Sequence, residues 1–291
     1  MVQKVYQVHE IQQALELLHQ HTHQAKLLAG GTDLIIKMRE GHVKPAVLID
    51  ISSMDKTRII EAQGHEIHIG STATFSEIQE HPLFQEDLAA IAAAARSVGS
   101  PQIRNRATIG GNICNASPAA DLLPPLLAME AMTVLRSKEA SRLLPLSDFL
   151  VGKEKTALKS EEMLERVWFR QLEDRSGLGF SKLGIRNALA IARLSMAVYL
   201  KLDATGRCLK ARVASGALGL TAQRENEVEA FLQQQVIDET IIDQAAQVLE
   251  RTTAQRLAGR STLPFKRHAV QGVFRDALSQ ALKSSLRREQ S

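Results

Sequence analysis

The chain has 291 residues, of which 44% are hydrophobic and 23% charged, with a formal net charge of only +4; that is too long for one small core and suits two or three subdomains. Its basic residues are dispersed apart from a tail cluster, Lys283, Arg287 and Arg288, that reads as a solvated helix end. With aromatics at 4%, the basic stripe with interleaved rings that nucleic-acid binding needs is excluded. No apolar run reaches the length of a membrane span, the longest being about Leu88 to Ala95, and Val2 to Glu10 alternates where a signal peptide would be continuously apolar. Two cysteines, Cys114 and Cys208, make no disulfide framework and cannot alone hold an iron–sulfur cluster, which takes about four thiolates. They read as reduced thiols, so the expected compartment is cytoplasmic.

The first fifty residues predict β-α-β-α-β. Val5 and Val8 lie in a short strand, and Ile11, Ala14, Leu15 and Leu18 keep helical spacing. Lys26 to Ala29 is a second strand, Asp33 to Glu40 a helix closed by Gly41, and Ala46 to Asp50 a third strand. Such alternation implies a small, mostly parallel sheet. The His19, His21, His23 run reads as a solvated loop, because no carboxylate or thiolate accompanies it as a metal site would require. Ile59-Ile60 and Ile67-His68-Ile69 flank Gln63-Gly64 as a hairpin. A helical piece around Phe75 to Gln79 and an alanine-rich helix from Asp87 to Ser97 follow, the latter buried on most sides. Gly99, Ser100 and Pro101 end it, and Arg104 and Arg106 in the next loop either meet a pyrophosphate or face water. Prolines 124 and 125 start a short helix over Leu122 to Met129, then strands at Met132 to Arg136, Glu165 to Phe169 and Gly179 to Leu183 predict a mixed sheet. Ser195 to Leu202 and Cys208 to Ser215 read as an antiparallel hairpin about Ala204-Thr205-Gly206. Helices are expected near Arg224 to Gln234, Asp238 to Arg251 and Pro264 to Leu282.

Two glycine pairs carry the chemistry. Thr108-Ile109-Gly110-Gly111-Asn112 leads into Asn115, Ala116-Ser117-Pro118 and Asp121. Paired glycines admit close backbone approach, and consecutive free amides in such a turn form a nest for phosphate oxygens. Thr108, Asn112 and Ser117 add neutral donors, whereas Asp121 suits a sugar-type hydroxyl. The second pair stands in Leu27-Leu28-Ala29-Gly30-Gly31-Thr32-Asp33-Leu34, a strand–turn–helix arrangement that offers amides and a positive dipole end to an anion. Neither is a Rossmann or P-loop spelling, and Gly177-Leu178-Gly179 has Lys182 where a third glycine should stand. A ligand with both phosphate and polyol, a nucleotide cofactor, is implied.

Taken in this order, Ala29 to Asp33, Thr108 to Asn112 and Ala116 to Leu122 resemble the FAD-binding medium subunit of the molybdenum hydroxylases, the xanthine dehydrogenase and carbon monoxide dehydrogenase family. The resemblance extends over Glu161-Glu162-Met163-Leu164, Lys182, Arg186 and Ile191-Ala192. It implies an α+β fold: two α/β subdomains of the vanillyl-alcohol-oxidase-like FAD-binding type, over 1–56 and 57–177, then a C-terminal antiparallel sheet with three helices over 178–291. It further implies that Leu27 to Leu34 and Thr108 to Asn112 hold the FAD diphosphate, with Asn115 beside them, and that Asp121 holds a cofactor hydroxyl. Leu164 and Lys182 match positions near the flavin ring, where an ammonium favours the reduced anionic form; otherwise Lys182 is an exposed strand-end lysine. Val98 stands where animal xanthine dehydrogenases carry an aromatic residue. Two cysteines also exclude the extra four-cysteine insert of the benzoyl-CoA reductase branch. The expected protein is the FAD subunit of a xanthine dehydrogenase-like complex. It would take electrons from [2Fe–2S] clusters on a small partner, with molybdopterin on a large partner and NAD+ or another acceptor downstream. A stand-alone flavin oxidase and a non-catalytic assembly subunit are the alternatives.

Overall fold

A computed structural model describes residues 2–185 and 191–287. Strands β1 (Lys4–Gln7), β2 (Ala25–Leu28) and β3 (Val47–Asp50) form a parallel sheet in the order β1–β3–β2, with α1 (Ile11–His21) and α2 (Leu34–Arg39) in the crossovers. Ala14, Leu15 and Leu18 bury the inner face of α1 against this sheet, in a core shared with Val47, Ile49 and Met163. The histidine run ends α1 and its following turn, where the His21 ring stacks on Tyr6. Glycine-bearing loop Ala29–Asp33 leaves the C-terminal end of β2, the end at which parallel sheets present their ligands.

The middle of the chain runs β4 (Ile60–Gln63), β5 (Glu66–Gly70), α3 (Phe75–Glu80), α4 (Ala89–Arg96), α5 (Pro101–Arg104), α6 (Ile109–Asn115) and α7 (Leu123–Ala128). It continues with β6 (Met132–Arg136), β7 (Ser141–Pro145), α8 (Leu146–Phe149), β8 (Leu150–Gly152), β9 (Lys155–Thr156) and β10 (Met163–Arg170). The five-stranded sheet β4–β5–β10–β6–β7 is antiparallel at every pairing, not mixed as its sequence pattern predicts. Short hairpins join β4 to β5 and β6 to β7, and β10 enters between them, so no parallel crossover is needed. Three helices escaped the sequence, α5, α6 and the short α8. Helix α5 is capped by Ser100 with Pro101 in its first turn, and α6 is capped by Thr108.

The last part packs β11 (Ser176–Leu183), β12 (Leu194–Leu202), β13 (Cys208–Gly216) and β14 (Gln223–Arg224) into an antiparallel sheet in chain order, followed by α9 (Asn226–Leu232), α10 (Glu239–Arg256) and α11 (Leu263–Arg287). No helix among the described residues is long and apolar enough to cross a membrane. Phe180, Ala197, Tyr199 and Ala214 of this sheet join the central core of α4 and α7. On its other face α11 lies directly on β11. A Cβ on Gly179 would stand 2.0 Å from the Ala277 carbonyl oxygen, and one on Gly177 2.1 Å from that of Ala281. This explains the Gly-x-Gly spelling: two glycines two residues apart share one face of a strand and let helix and strand backbones touch. Gly179→Ala is therefore expected to destabilise the chain by about 1–3 kcal/mol, as overpacking does, lowering its melting temperature while leaving the cavity described next unaltered. A parent-like melting temperature would show that α11 can retreat freely.

Candidate cofactor site

One cavity of about 540 Å³ opens between the β2–α2 loop and the N-terminal end of α6. Its formation starts at Gly30, whose absent Cβ would lie 1.9 Å from the Arg106 carbonyl oxygen and 3.0 Å from the Ala107 Cα. The two glycine stretches, far apart in sequence, are thus in backbone contact. Gly31 follows with φ +73°, the left-handed turn that sends the chain into α2. From Gly30 to Leu34 no backbone amide finds an acceptor among the described residues, whereas Ile35 donates to Gly31. Five adjacent free amides at a helix start are an anion cradle.

The second stretch differs from its expected form. Gly110 and Gly111 occupy the first turn of α6, neither with positive φ, and the amides there are already spent. Ile109 donates to Ala73, Gly110 to Ser71, Gly111 to Thr108 Oγ1 at 3.1 Å, and Asn112 to the Thr108 carbonyl. No nest exists at these residues, because the chain resolves into a capped helix. Gly110 is small to fit Ser71, whose Cβ would lie 2.6 Å from its own. Gly111 is different: its Cβ would meet only Thr108 Oγ1, at 3.1 Å, and the residue is exposed on the cavity wall.

Of the residues expected to hold a cofactor, Leu27, Ala29, Gly30, Gly31, Thr32, Asp33, Leu34, Thr108, Gly110, Gly111, Asn112, Asn115 and Leu164 line the cavity. Leu28, Ile109, Asp121 and Lys182 do not. Leu28 follows Leu27 on β2, points to the opposite face and packs behind Gly31, and Ile109 turns from the first turn of α6 into the central core, where it is wholly buried. Asp121 and Lys182 are paired with each other, Lys182 Nζ donating to Asp121 Oδ2 at 2.6 Å and to the Ser97 carbonyl at 2.9 Å. The surface-lysine alternative for Lys182 fails, since its side chain is 12% exposed. Arg186 lies outside the described residues.

Sequence reasoning missed several wall residues. Ser71 follows β5, and among the described residues its buried hydroxyl and the Asn112 Oδ1 have no hydrogen-bond partner. Phe75 and Ile103, with Val98 at the position that the resemblance matches to a flavin-side aromatic residue, supply an apolar stretch; for Ser71 the only available signal was Gly70-Ser71-Thr72 after a strand. At the rim, Lys37 Nζ donates to Asn115 Oδ1 at 2.6 Å and to Glu154 Oε2 at 2.7 Å, and Asn115 donates to Asp33 Oδ1 at 3.2 Å. Lys37 thereby holds the Glu154 carboxyl below its usual range. Cys114 is half-exposed as a residue, but burial pushes its thiol up to about 12, leaving it neutral. Neither arginine of the stretch before α6 lines the cavity. Arg106 is exposed, while Arg104 Nη1 donates to the carbonyls of Val98 and Gly99, both at 3.1 Å. Among the described residues no three metal-ligating side chains come together.

Burial raises the Asp121 carboxyl from 3.8 to about 6, against the opposing pull of Lys182. The folded chain then binds this proton more tightly than the unfolded one, so stability falls as pH rises through the interval between those values. Asp121→Asn is expected to remove that slope, at most about 1.4 kcal/mol per pH unit, whatever its own absolute stability. Urea unfolding at a series of pH values checks it; parallel profiles for parent and variant would mean that Lys182 keeps Asp121 ionised throughout.

Residues 1–169 match the family described as the FAD binding domain in molybdopterin dehydrogenase, and residues 180–281 match the CO dehydrogenase flavoprotein C-terminal domain. The chain is 32% identical over 269 residues to the nicotinate dehydrogenase FAD-subunit of Eubacterium barkeri, covering 91% of each chain. It is 31% identical over 264 residues to the xanthine dehydrogenase FAD-binding subunit of Escherichia coli O157:H7, covering 90% of each. Among solved structures, a chain of the carbon monoxide dehydrogenase from Hydrogenophaga pseudoflava superposes with a TM-score of 0.90 at 26% identity, over 98% of both chains. The expected α+β fold holds, FAD is the cofactor of the matched domain, and the chain belongs to the FAD-binding subunits of the molybdenum hydroxylases.

Proposed function

We propose that this chain relays electrons in a xanthine dehydrogenase-like complex, from [2Fe–2S] clusters on a small partner through its FAD to NAD+, with molybdopterin and the oxidised heterocycle on a large partner. The observation that carries the reading is the run of free amides from Gly30 to Leu34 set against the bare helical face at Gly111. Such a cradle fits a dinucleotide diphosphate: amides for its oxygens, no Cβ where it must pass, and unpartnered polar atoms on Ser71 and Asn112 for further hydrogen bonds. In this assignment the amides of Gly30 to Leu34 bind the diphosphate, and the Thr108 hydroxyl, which accepts from Gly111, donates its own proton to the same group. Asn112 and Asn115 orient the polyol, while Val98, Ile103 and Leu164 exclude water from the ring. Bound flavin supplies the two-electron to one-electron exchange that the relay requires. The surrounding wall of amides, hydroxyls and aliphatic groups suits a subunit that holds and orients.

Reconstitution with the molybdenum and cluster subunits tests the reading. Xanthine is expected to drive NADH formation. Reduction of an artificial dye alone would refute NAD+ as acceptor, turnover of nicotinate but not xanthine would refute the substrate class, and a colourless chain would refute the relay itself.

The glycines give a sharper check. Gly110→Ala is expected to lower stability by about 1–3 kcal/mol, since its Cβ collides with Ser71. Gly111→Val should fold with a melting temperature near that of the parent yet lose its flavin, because its side chain enters the cavity rather than the core. Full flavin occupancy in Gly111→Val would place the diphosphate elsewhere.

A further inference from the structure

The segment Ser97–Ser100 joins α4 to α5, and two cavity-wall residues, Val98 and Ile103, stand on it or just beyond it. Among the described residues no backbone amide donates to the carbonyls of Ser97, Val98 or Gly99. Two cations do so instead, from different elements: Lys182 on β11 holds Ser97, and Arg104 on α5 holds Val98 and Gly99. Gly99 sits at φ +47° with Ile103 so close that a Cβ would come within 2.8 Å of its Cγ2, so the segment is bent tightly back upon α5. Packing alone leaves three consecutive polar oxygens to be satisfied, and charge-assisted donors are the strong means of fixing them.

We infer that Arg104 is a positioning residue for the flavin: by fixing the Val98 and Gly99 carbonyls it sets both the Val98–Ile103 wall and the Ser97 oxygen that orients the Lys182 ammonium. This rests on the assignment of the cavity to FAD. The isoalloxazine, rather than the adenine, belongs at this wall because the Asp121–Lys182 pair lies immediately behind it. Among the described residues Asp121 Oδ1 has no hydrogen-bond partner and Lys182 spends two of its three protons, one on Asp121 and one on Ser97. Neither group lines the cavity, so what they offer a ring at this wall is the field of a fixed ion pair held on the Ser97 carbonyl, next to Val98. Arg104 touches none of this directly; its effect passes through three backbone carbonyls.

The experiment uses the FAD-loaded protein with Arg104→Met, Arg104→Lys and, as a change of the wall that leaves the clamp intact, Val98→Ala. Arg104→Met is expected to shift the visible absorption bands and the midpoint potential of the bound flavin, and to raise the Kd for FAD about ten-fold, the scale of one charge-assisted hydrogen bond. Arg104→Lys should recover part of each change, and Val98→Ala should shift the bands in the same region. A lower melting temperature for Arg104→Met with parent-like bands, potential and Kd overturns the proposal in favour of a purely structural arginine. A raised Kd for FAD with unchanged bands, potential and riboflavin affinity overturns it in favour of the adenosine end. Should Arg104→Met fail to fold, parent-like bands in both Arg104→Lys and Val98→Ala overturn it equally. Gly111→Val made in parallel reports on the cavity itself: full flavin occupancy there means that the site assignment has failed, independently of Arg104.

Discussion

The site depends on one steric constraint, the contact of the Gly30 backbone with the Arg106 carbonyl and Ala107 Cα. It brings a loop of the parallel sheet against the chain entering α6, whose cap residue Thr108 also bridges to Thr74, the cap of α3. With any side chain at Gly30 the two loops would have to separate, and the free amides of the first would no longer face the bare helix of the second. The cavity is thus bounded by two backbones held at contact, and that contact follows from glycine rather than from any large residue.

Charge is distributed around this gap in pairs. Lys37 is satisfied by Glu154 and Asn115 at the rim, and Lys182 by Asp121 and a carbonyl behind the wall. The exposed rim pair gives little stability on its own, but it ties α2 to the β8–β9 hairpin and to α6. The buried pair costs desolvation, visible in the raised Asp121 carboxyl, and such a cost is weak evidence for a stabilising role. What it supplies is a donor and an acceptor fixed in place and largely shielded from water.

Much of this was legible in the sequence, and what was not has physical reasons. The β-α-β-α-β start was readable because Ala14, Leu15 and Leu18 bury one helical face and three short apolar strands alternate with helices. The second glycine stretch was misread as a turn because Gly110-Gly111 opposes helix formation locally. The Thr108 cap and the close fit to Ser71 override that propensity. Asp121 and Lys182 are sixty-one positions apart, and nothing in their spacing tells that they meet each other before they meet a ligand. Arg104 shows the same limit: a loop arginine beside a phosphate motif invites an anion, yet its nearest acceptors are carbonyls five and six residues back.

The four motif glycines carry four different constraints under one spelling. Gly30 permits a backbone contact, Gly31 a left-handed turn, Gly110 the approach of Ser71, and Gly111 none that the protein itself imposes beyond the Thr108 cap. Three of them would be required in a chain that had kept this fold and lost its cofactor. Only Gly111 faces space that the protein leaves open, so it alone separates the electron-carrying reading from the assembly-subunit one. A glycine at a solvent-facing helix position loses backbone entropy on folding and gains no contact in return. Its presence at the wall is explained when a ligand occupies the volume its side chain would fill.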